Sequence, residues 1–329
     1  MNAAVVHAFD ALPHYTTFAD PVAGDGEKIV KVTAAGLHPI VKALANGTHY
    51  GSTGELPFIP GVDGTGRLED GTRVYFGSAR SPYGTFSERA VAPDWMCLPL
   101  PDGLDEVTAA GIANPGMSSW AALAERAKFV AGESVLILGA TGVAGQLAVQ
   151  IAKRMGARRV VACGRNPPAL EKGKRLGADA VISLEQDHDV LVAAFRRELS
   201  EAGVDVVIDY LWGQPAGCVL EAISQKGLKH KTSRIRFVQV GQSAGKTITL
   251  AAATLRSSGL ELLGSGFGSA SLDQIMQAVR EFFKVAAVKL FQADTGRHRC
   301  VMLSHSGIDR RKVHGWFFSL SFEGNAKFP

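Results

Sequence analysis

The chain has 329 residues, 46% of them hydrophobic and 20% charged, with 37 glycines and a net charge of +4; this excludes a disordered or collagen-like chain and, at roughly 100–200 residues per domain, calls for two domains. Residues 289–329 hold seven Lys/Arg against three Asp/Glu, which is the whole excess, so the balanced remainder offers no footprint for nucleic acid and no such partner is expected. Four dispersed cysteines, the lack of a signal-like start and the lack of an apolar run of spanning length lead us to expect a cytoplasmic protein without a membrane segment.

Residues 1–114 read as short strands broken by turns. Glu27–Val32 alternates, Gly71–Phe76 is β-rich and Gly/Pro punctuation is dense, which predicts a β-rich domain resembling a partly open barrel. After Asn114-Pro115-Gly116 the texture changes to helices alternating with short apolar strands at Ser134–Leu138, Arg159–Cys163, Ala180–Ile182, Val204–Asp209 and Arg236–Val240. That pattern predicts a doubly wound parallel sheet of the Rossmann α/β class, covered on both faces.

Between the first of these strands and a helix predicted over Ala144–Met155 lies Gly139-Ala140-Thr141-Gly142-Val143-Ala144-Gly145. A glycine pattern alone is weak, but one between an apolar strand and a helix has a mechanism. Gly142 would let the backbone approach a pyrophosphate and Gly145 would permit close helix-to-strand packing, while the N–H groups at the helix start would bind phosphate. Ala140 takes the first position of the G-x-G-x-x-G spacing. About 20 residues on, where an acid would bind a ribose hydroxyl, stand Arg165 and Asn166. A guanidinium there suits a 2′-phosphate, so NADPH is expected rather than NADH; a surface-loop arginine is the alternative.

Taken together, Ala34-Ala35-Gly36-Leu37, Leu56–Gly64, the glycine turn with Gln150–Lys153, Leu176–Asp179 and Ser258–Ser265 resemble the medium-chain dehydrogenase/reductase superfamily, in its zinc-free quinone oxidoreductase branch. The resemblance runs to about residue 287. It implies a GroES-like catalytic domain at 1–114, a Rossmann NADPH-binding domain at 115–274, a segment 275–329 returning to the catalytic domain, and a cofactor in the cleft between the domains. Zinc-dependent relatives carry a Cys after the Ala-Gly turn, a Gly-His-Glu stretch and a Cys-rich lobe; here His38 and Val62-Asp63 stand near the first two places, short of the three ligands of a catalytic zinc.

By the same resemblance, Tyr50 is the first candidate for substrate positioning or proton donation and His38 the second, with an aromatic wall and a hydrogen-bonded loop histidine as the respective alternatives. Ser118, read as starting the helix after Asn114-Pro115-Gly116, matches a hydroxyl on the nicotinamide side of the cofactor, with a helix N-cap as the alternative. Gly241, Gln242 and Gly264 match the places where backbone approaches the nicotinamide ribose and carboxamide. The stretch Leu260–Leu263 matches an edge strand that relatives pair across a two-fold axis, which implies a homodimer.

The expected activity is NADPH-dependent, zinc-independent reduction of a small-molecule quinone or α,β-unsaturated carbonyl by hydride transfer. The alternatives are a zinc-independent alcohol or aldehyde dehydrogenase and a non-catalytic NADPH-binding sensor or regulatory protein. After about residue 288 the family pattern stops and no steady period follows. This tail is read as a reading-frame change or recombined end, with a divergent natural tail as the alternative.

Overall fold

The computed structural model describes residues 1–224, 233–266, 268–287, 300–304 and 307–308. These fall into two compact units, one formed by 1–114 with 283–287 and the two short strands of 300–308, the other by 115–282.

The first unit contains β1 (Asn2–Val5), β2 (His14–Thr17), β3 (Glu27–Gly36), α1 (Pro39–Ala45), β4 (Asp63–Arg67), β5 (Arg73–Gly77), β6 (Arg89–Pro93) and β7 (Leu98–Pro99). All its pairings are antiparallel, and β3 is the hub, pairing β4 and β6 with a register shift between Val32 and Ala34. That irregularity lets one ten-residue strand serve two partners along its length. Val30, Val32, Val74, Phe76, Ala90 and Ala92 form one core cluster, while Ala3, Val5, Val41, Ile59 and Phe86 belong to another.

The two units divide between Asn114 and Pro115, inside α2 (Glu106–Ala121). Here the sequence expectation is corrected. Asn114-Pro115-Gly116 does not precede a helix; the helix runs through it, so Ser118 is an interior helical residue and not an N-cap. A proline removes one helical hydrogen bond at a cost near 3 kcal/mol in an exposed helix, but here packing outweighs it. Gly116 lies under the Phe282 ring so closely that a Cβ would stand 2.5 Å from Phe282 Cε1, and Pro115 itself is buried.

The second unit continues with β8 (Ser134–Leu138), α3 (Val143–Arg154), β9 (Arg159–Gly164), α4 (Pro167–Arg175), β10 (Ala180–Ser183), α5 (His188–Arg197), β11 (Val206–Asp209), α6 (Gly213–Ile223), β12 (Arg234–Gln239), α7 (Ala252–Arg256), β13 (Gly259–Gly264) and α8 (Leu272–Ala286). Six parallel strands lie in the order β10-β9-β8-β11-β12-β13. The five strands predicted from apolar runs are present; β8 has the predicted bounds, whereas β11 begins at Val206 rather than Val204 and β12 is Arg234–Gln239 rather than Arg236–Val240. Every residue of β8 is buried, as a strand covered on both faces requires.

The chain enters this sheet at β8, builds outward to β10, then returns to β11 on the other side of β8. The β8/β11 boundary is therefore the topological switch point, the place where ligands bind at the carboxyl ends of open α/β sheets. Leu138 pairs with Asp209 across it. Past 287 the expectation about the tail lies mostly outside the described residues; within it, β14 (Cys300–Ser304) pairs antiparallel with β3 and with β15 (Gly307–Ile308).

Candidate functional site

The turn after β8 is shaped by three glycines with different duties. Gly139 has φ +88°, the left-handed region that favours glycine. Its N–H and that of Ala140 both reach Cys163 O, at 3.0 and 2.9 Å, which ties the turn to the end of β9. At Gly145 a Cβ would lie 2.5 Å from Ala140 Cα and closer still to Gly139 O, so the first turn of α3 rests directly on the backbone it follows. At Gly142, the N-cap of α3, a Cβ would meet nothing nearer than Gly139 O at 3.7 Å. The space beside Gly142 is thus open while that beside Gly145 is closed.

Val143, Ala144 and Gly145 supply N–H groups from the first turn of α3, where a helix has no upstream acceptors. Gln146 is different: its backbone N–H donates to Gly142 O and its side-chain Nε2 donates to Thr141 O, at 2.9 and 3.0 Å, fixing the curvature of the loop. An open approach at Gly142 in front of those N–H groups is a cradle a phosphate fits. Arg165 and Asn166 follow β9 directly and are exposed. Asn166 caps α4, its Oδ1 accepting from Ala169 N at 2.9 Å, which leaves its amide donors available. No carboxylate stands between Gly164 and Pro168.

On the other side of the switch point, the end of β11 carries a buried carboxylate that the sequence reading did not single out. Asp209 Oδ1 accepts the N–H groups of Leu211 and Trp212 at 2.8 and 3.0 Å, and this holds Trp212 in the left-handed region at φ 57°. Burial pushes the Asp209 carboxyl up to about 6, against the opposing pull of those two N–H donors. The Asp209 backbone carbonyl accepts from Val240 N and Gly241 N. Gly241 therefore lies against Tyr210, where a Cβ would stand 2.6 Å from Tyr210 O, and Gln242 beside it is exposed. Gly264 ends β13, its carbonyl accepting from Arg126 Nε at 2.7 Å, and a Cβ there would meet Ser269 Cβ at 4.0 Å, an ordinary contact.

Tyr210 is the second residue missed by sequence reasoning. Its hydroxyl lies 2.7 Å from Ser119 Oγ. Ser119 is buried, and its Oγ is 2.9 Å from Pro115 O and 3.1 Å from Ala144 O. Ser118 remains partly exposed. Burial, offset by the two serine hydroxyls, pushes the Tyr210 phenol up to about 12, so it is a neutral O–H at physiological pH.

In the first unit, His38 and Tyr50 sit beyond opposite ends of α1, seven residues or roughly 10 Å of helix. His38 is 6% exposed; Gly36 makes room for its ring, and its Nε2 lies 3.4 Å from Asp63 Oδ1. Asp63, 2% exposed, also accepts from the Tyr75 hydroxyl at 3.0 Å, and burial with the Asp63 charge drives the Tyr75 phenol up. Tyr50 is 73% exposed, its ring 4.1 Å from that of His49. The structure therefore makes His38 an interior group paired with a carboxylate and Tyr50 an outward-facing one. Among the described residues, no three His, Cys, Asp or Glu side chains are grouped to hold a metal ion, and no helix is long and apolar enough to cross a membrane.

Comparison with known proteins matches residues 143–284 to the family described as zinc-binding dehydrogenase. The quinone oxidoreductase of Pongo abelii is 31% identical over 216 residues, 61% of this chain and 63% of that protein. The trans-enoyl reductase pgmF of Aspergillus terreus is 31% identical over 215 residues, 59% of each. These matches span less than two thirds of the relatives' lengths. Among solved structures, the quinone oxidoreductase of Thermus thermophilus, also determined in complex with NADPH, superposes with a TM-score of 0.67 at 26% identity, covering 88% of this chain and 86% of that one. With its parallel six-stranded sheet and the glycine turn at the switch point, the chain is similar to the quinone oxidoreductase branch of the medium-chain dehydrogenase/reductase superfamily.

Proposed function

We propose that this protein is an NADPH-dependent oxidoreductase that reduces quinones or α,β-unsaturated carbonyls. The observation that carries the reading is the turn at Gly139–Gly145, closed by packing at Gly145 and open at Gly142, at the switch point of the sheet. The N–H groups of Val143, Ala144 and Gly145 would hold the pyrophosphate, with Thr141 and Ala140 completing the loop. Arg165 would fork to the 2′-phosphate, with an Asn166 amide donor beside it. Gly241, Gln242 and Gly264, at the carboxyl ends of β12 and β13, would line the nicotinamide half, together with Ser118.

When bound, NADPH supplies a hydride, and the reduced acceptor needs a proton. Tyr50, an exposed hydroxyl, is the candidate to hold that proton or orient the acceptor. His38, enclosed beside Asp63, would act by shaping the loop before α1. Hydride delivery to an electron-poor quinone or enone requires mainly orientation and a proton source, which these residues can provide. The names of the quinone oxidoreductase and trans-enoyl reductase relatives support the same acceptor class.

Further parts of the reading are a homodimer, supported by β13 as the edge strand of the sheet with Leu262 38% exposed, and a cytoplasmic setting, supported by the dispersed cysteines. The test is initial rates with NADPH and NADH across a panel of quinones and enones, on the wild type and Arg165→Ala. NADPH should be preferred, and removal of the guanidinium should erase about 10- to 100-fold of that preference, the worth of a charge-assisted hydrogen bond. Equal or better rates with NADH, or no NADPH consumption on any acceptor, would refute the proposal.

A further inference from the structure

The loop after α1 is fastened to the end of that helix. Ala43 O accepts the N–H groups of both Thr48 and His49, at 2.8 and 3.1 Å, and Gly47, in the left-handed region at φ 68°, lies so near Phe9 that a Cβ would stand 3.0 Å from the ring. His49 O then accepts from Ser52 N at 3.0 Å, and His49 Nδ1 accepts from Gly51 N, also at 3.0 Å. The imidazole is therefore held by its own backbone on both sides and by one of its ring nitrogens.

That last bond decides where the ring carries its proton. A backbone N–H can only donate, so Nδ1 must present a lone pair, and the single proton of a neutral imidazole then sits on Nε2. A second proton, on Nδ1, would set N–H against N–H and forfeit the hydrogen bond; burial acts in the same direction and lowers the His49 pKa below its ordinary value. His49 is thus a neutral ring at physiological pH, in one tautomer. Its Nε2–H has no hydrogen-bond partner among the described residues and is not enclosed, the residue being half-buried. The ring stands 4.1 Å from that of Tyr50 with the planes 31° apart, so a carbonyl oxygen brought to Tyr50 finds a second donor beside it.

We propose that His49 is a further catalytic residue, whose Nε2–H donates a hydrogen bond to the carbonyl oxygen of the acceptor as that oxygen gains negative charge. This rests on the reductase reading given above and on Tyr50 meeting the acceptor. When hydride forms a C–H bond at the electron-poor carbon, the conjugated π pair moves onto the carbonyl oxygen; the acceptor is reduced, the nicotinamide is oxidised, and the oxyanion takes its proton from Tyr50 or from water. His49 keeps its own proton throughout, because giving it up would leave an imidazolate. A neutral N–H fixed in advance stabilises an oxyanion without any reorganisation at the moment of reaction, and the bond from Gly51 is what fixes it. The acceptors this arrangement favours are those whose reduction places charge on an oxygen.

Two substitutions separate the two ring nitrogens. In His49→Asn the amide oxygen reaches the place of Nδ1 and accepts from Gly51 N, but nothing stands at the place of Nε2; in His49→Gln an amide N–H reaches the place of Nε2, and Gly51 N loses its acceptor. Steady-state kinetics of the full chain with NADPH and a quinone or enone should show kcat lowered about 10²-fold in His49→Asn, the worth of one oxyanion donor, and lowered no more than about tenfold in His49→Gln. The melting temperature of His49→Asn should stay within about 3 °C of wild type. A purely structural imidazole predicts the reverse order, because only asparagine keeps the Gly51 bond. A readout independent of turnover is nitrogen NMR of the imidazole rings, with the His49 signals identified as those that His49→Asn removes; wild type at neutral pH should show the Nε2–H tautomer. An Nδ1–H tautomer or an imidazolium overturns the inference, as does undiminished kcat in His49→Asn or a loss in His49→Gln as large as that in His49→Asn. Any of these results in a wild type that reduces quinones or enones leaves the reductase reading standing; a wild type that binds no NADPH or reduces none of the acceptors overturns both.

Discussion

Two glycine-to-alanine substitutions in one turn should have opposite effects on folding and on binding. At Gly142 the backbone has φ −81° and ψ 170°, ordinary values for alanine, and the added Cβ finds its nearest neighbour at 3.7 Å. Alanine is a poorer N-cap than glycine by about 0.5–1 kcal/mol, while the loss of unfolded-state freedom returns about 0.4–1 kcal/mol. The two nearly cancel, so Gly142→Ala should melt within about 3 °C of wild type. Its methyl group, however, occupies the open approach to the α3 N–H groups. Displacing a phosphate from a charge-assisted hydrogen bond costs about 1.5–3 kcal/mol, or roughly 10- to 150-fold in affinity.

At Gly145 the Cβ would stand 2.5 Å from Ala140 Cα and nearer to Gly139 O, both backbone atoms held by the β9 carbonyl of Cys163. Ordinary contact demands about 1 Å more. Separating α3 from the turn by that amount in a close-packed interior costs about 3 kcal/mol, which lowers the melting temperature by roughly 6–12 °C. Thermal denaturation by circular dichroism and NADPH titration by fluorescence measure the two effects separately. The reasoning fails if Gly142→Ala binds NADPH as wild type does, or if it is destabilised as much as Gly145→Ala.

Tyr50→Phe should change stability by less than about 0.5 kcal/mol, because the side chain is mostly exposed, yet lower kcat/KM for a quinone or enone by about 10²-fold or more if the hydroxyl supplies the proton; unchanged kcat/KM would leave Tyr50 as a wall residue. Asp209 gives a pH dependence of definite sign. Its folded pKa of about 6 lies above the unfolded value near 3.9, so the folded state binds the extra proton and this group's contribution to stability falls as pH rises from about 4 to about 6. Asp209→Asn keeps an oxygen for Leu211 N and Trp212 N but carries no charge, so urea melts should show that slope flattened and the variant more stable than wild type at pH 7, by up to about 3 kcal/mol. A variant less stable than wild type at pH 7 would show that the ionised carboxylate is the favoured partner of those N–H groups.

The parts of the fold legible in the sequence were those written in local chemistry. Ser134–Leu138 could be read as a buried strand because five consecutive residues suit burial on both faces, and the glycine turn could be read because its position between strand and helix carries a steric reason for each glycine. Strand ends were less legible. Arg234 and Ile235 join β12 through parallel pairing with Gly259 and Leu260 of β13, a long-range condition invisible in their own composition. Asn114-Pro115-Gly116 was misread because local breaker chemistry was taken at face value, whereas Phe282, far along the chain, presses on Gly116 and favours the helix.

The sequence by itself determined the fold class and the form of the glycine turn between β8 and α3, since each depends on contiguous stretches whose backbone geometry their own residues dictate. Only the tertiary structure decided which side chains meet. Tyr210 reaches Ser119 across 91 positions, and Asp63 gathers His38 and Tyr75 from different elements. Such polar groups, once buried, must find partners, but which partners they find is settled by strand order and helix packing.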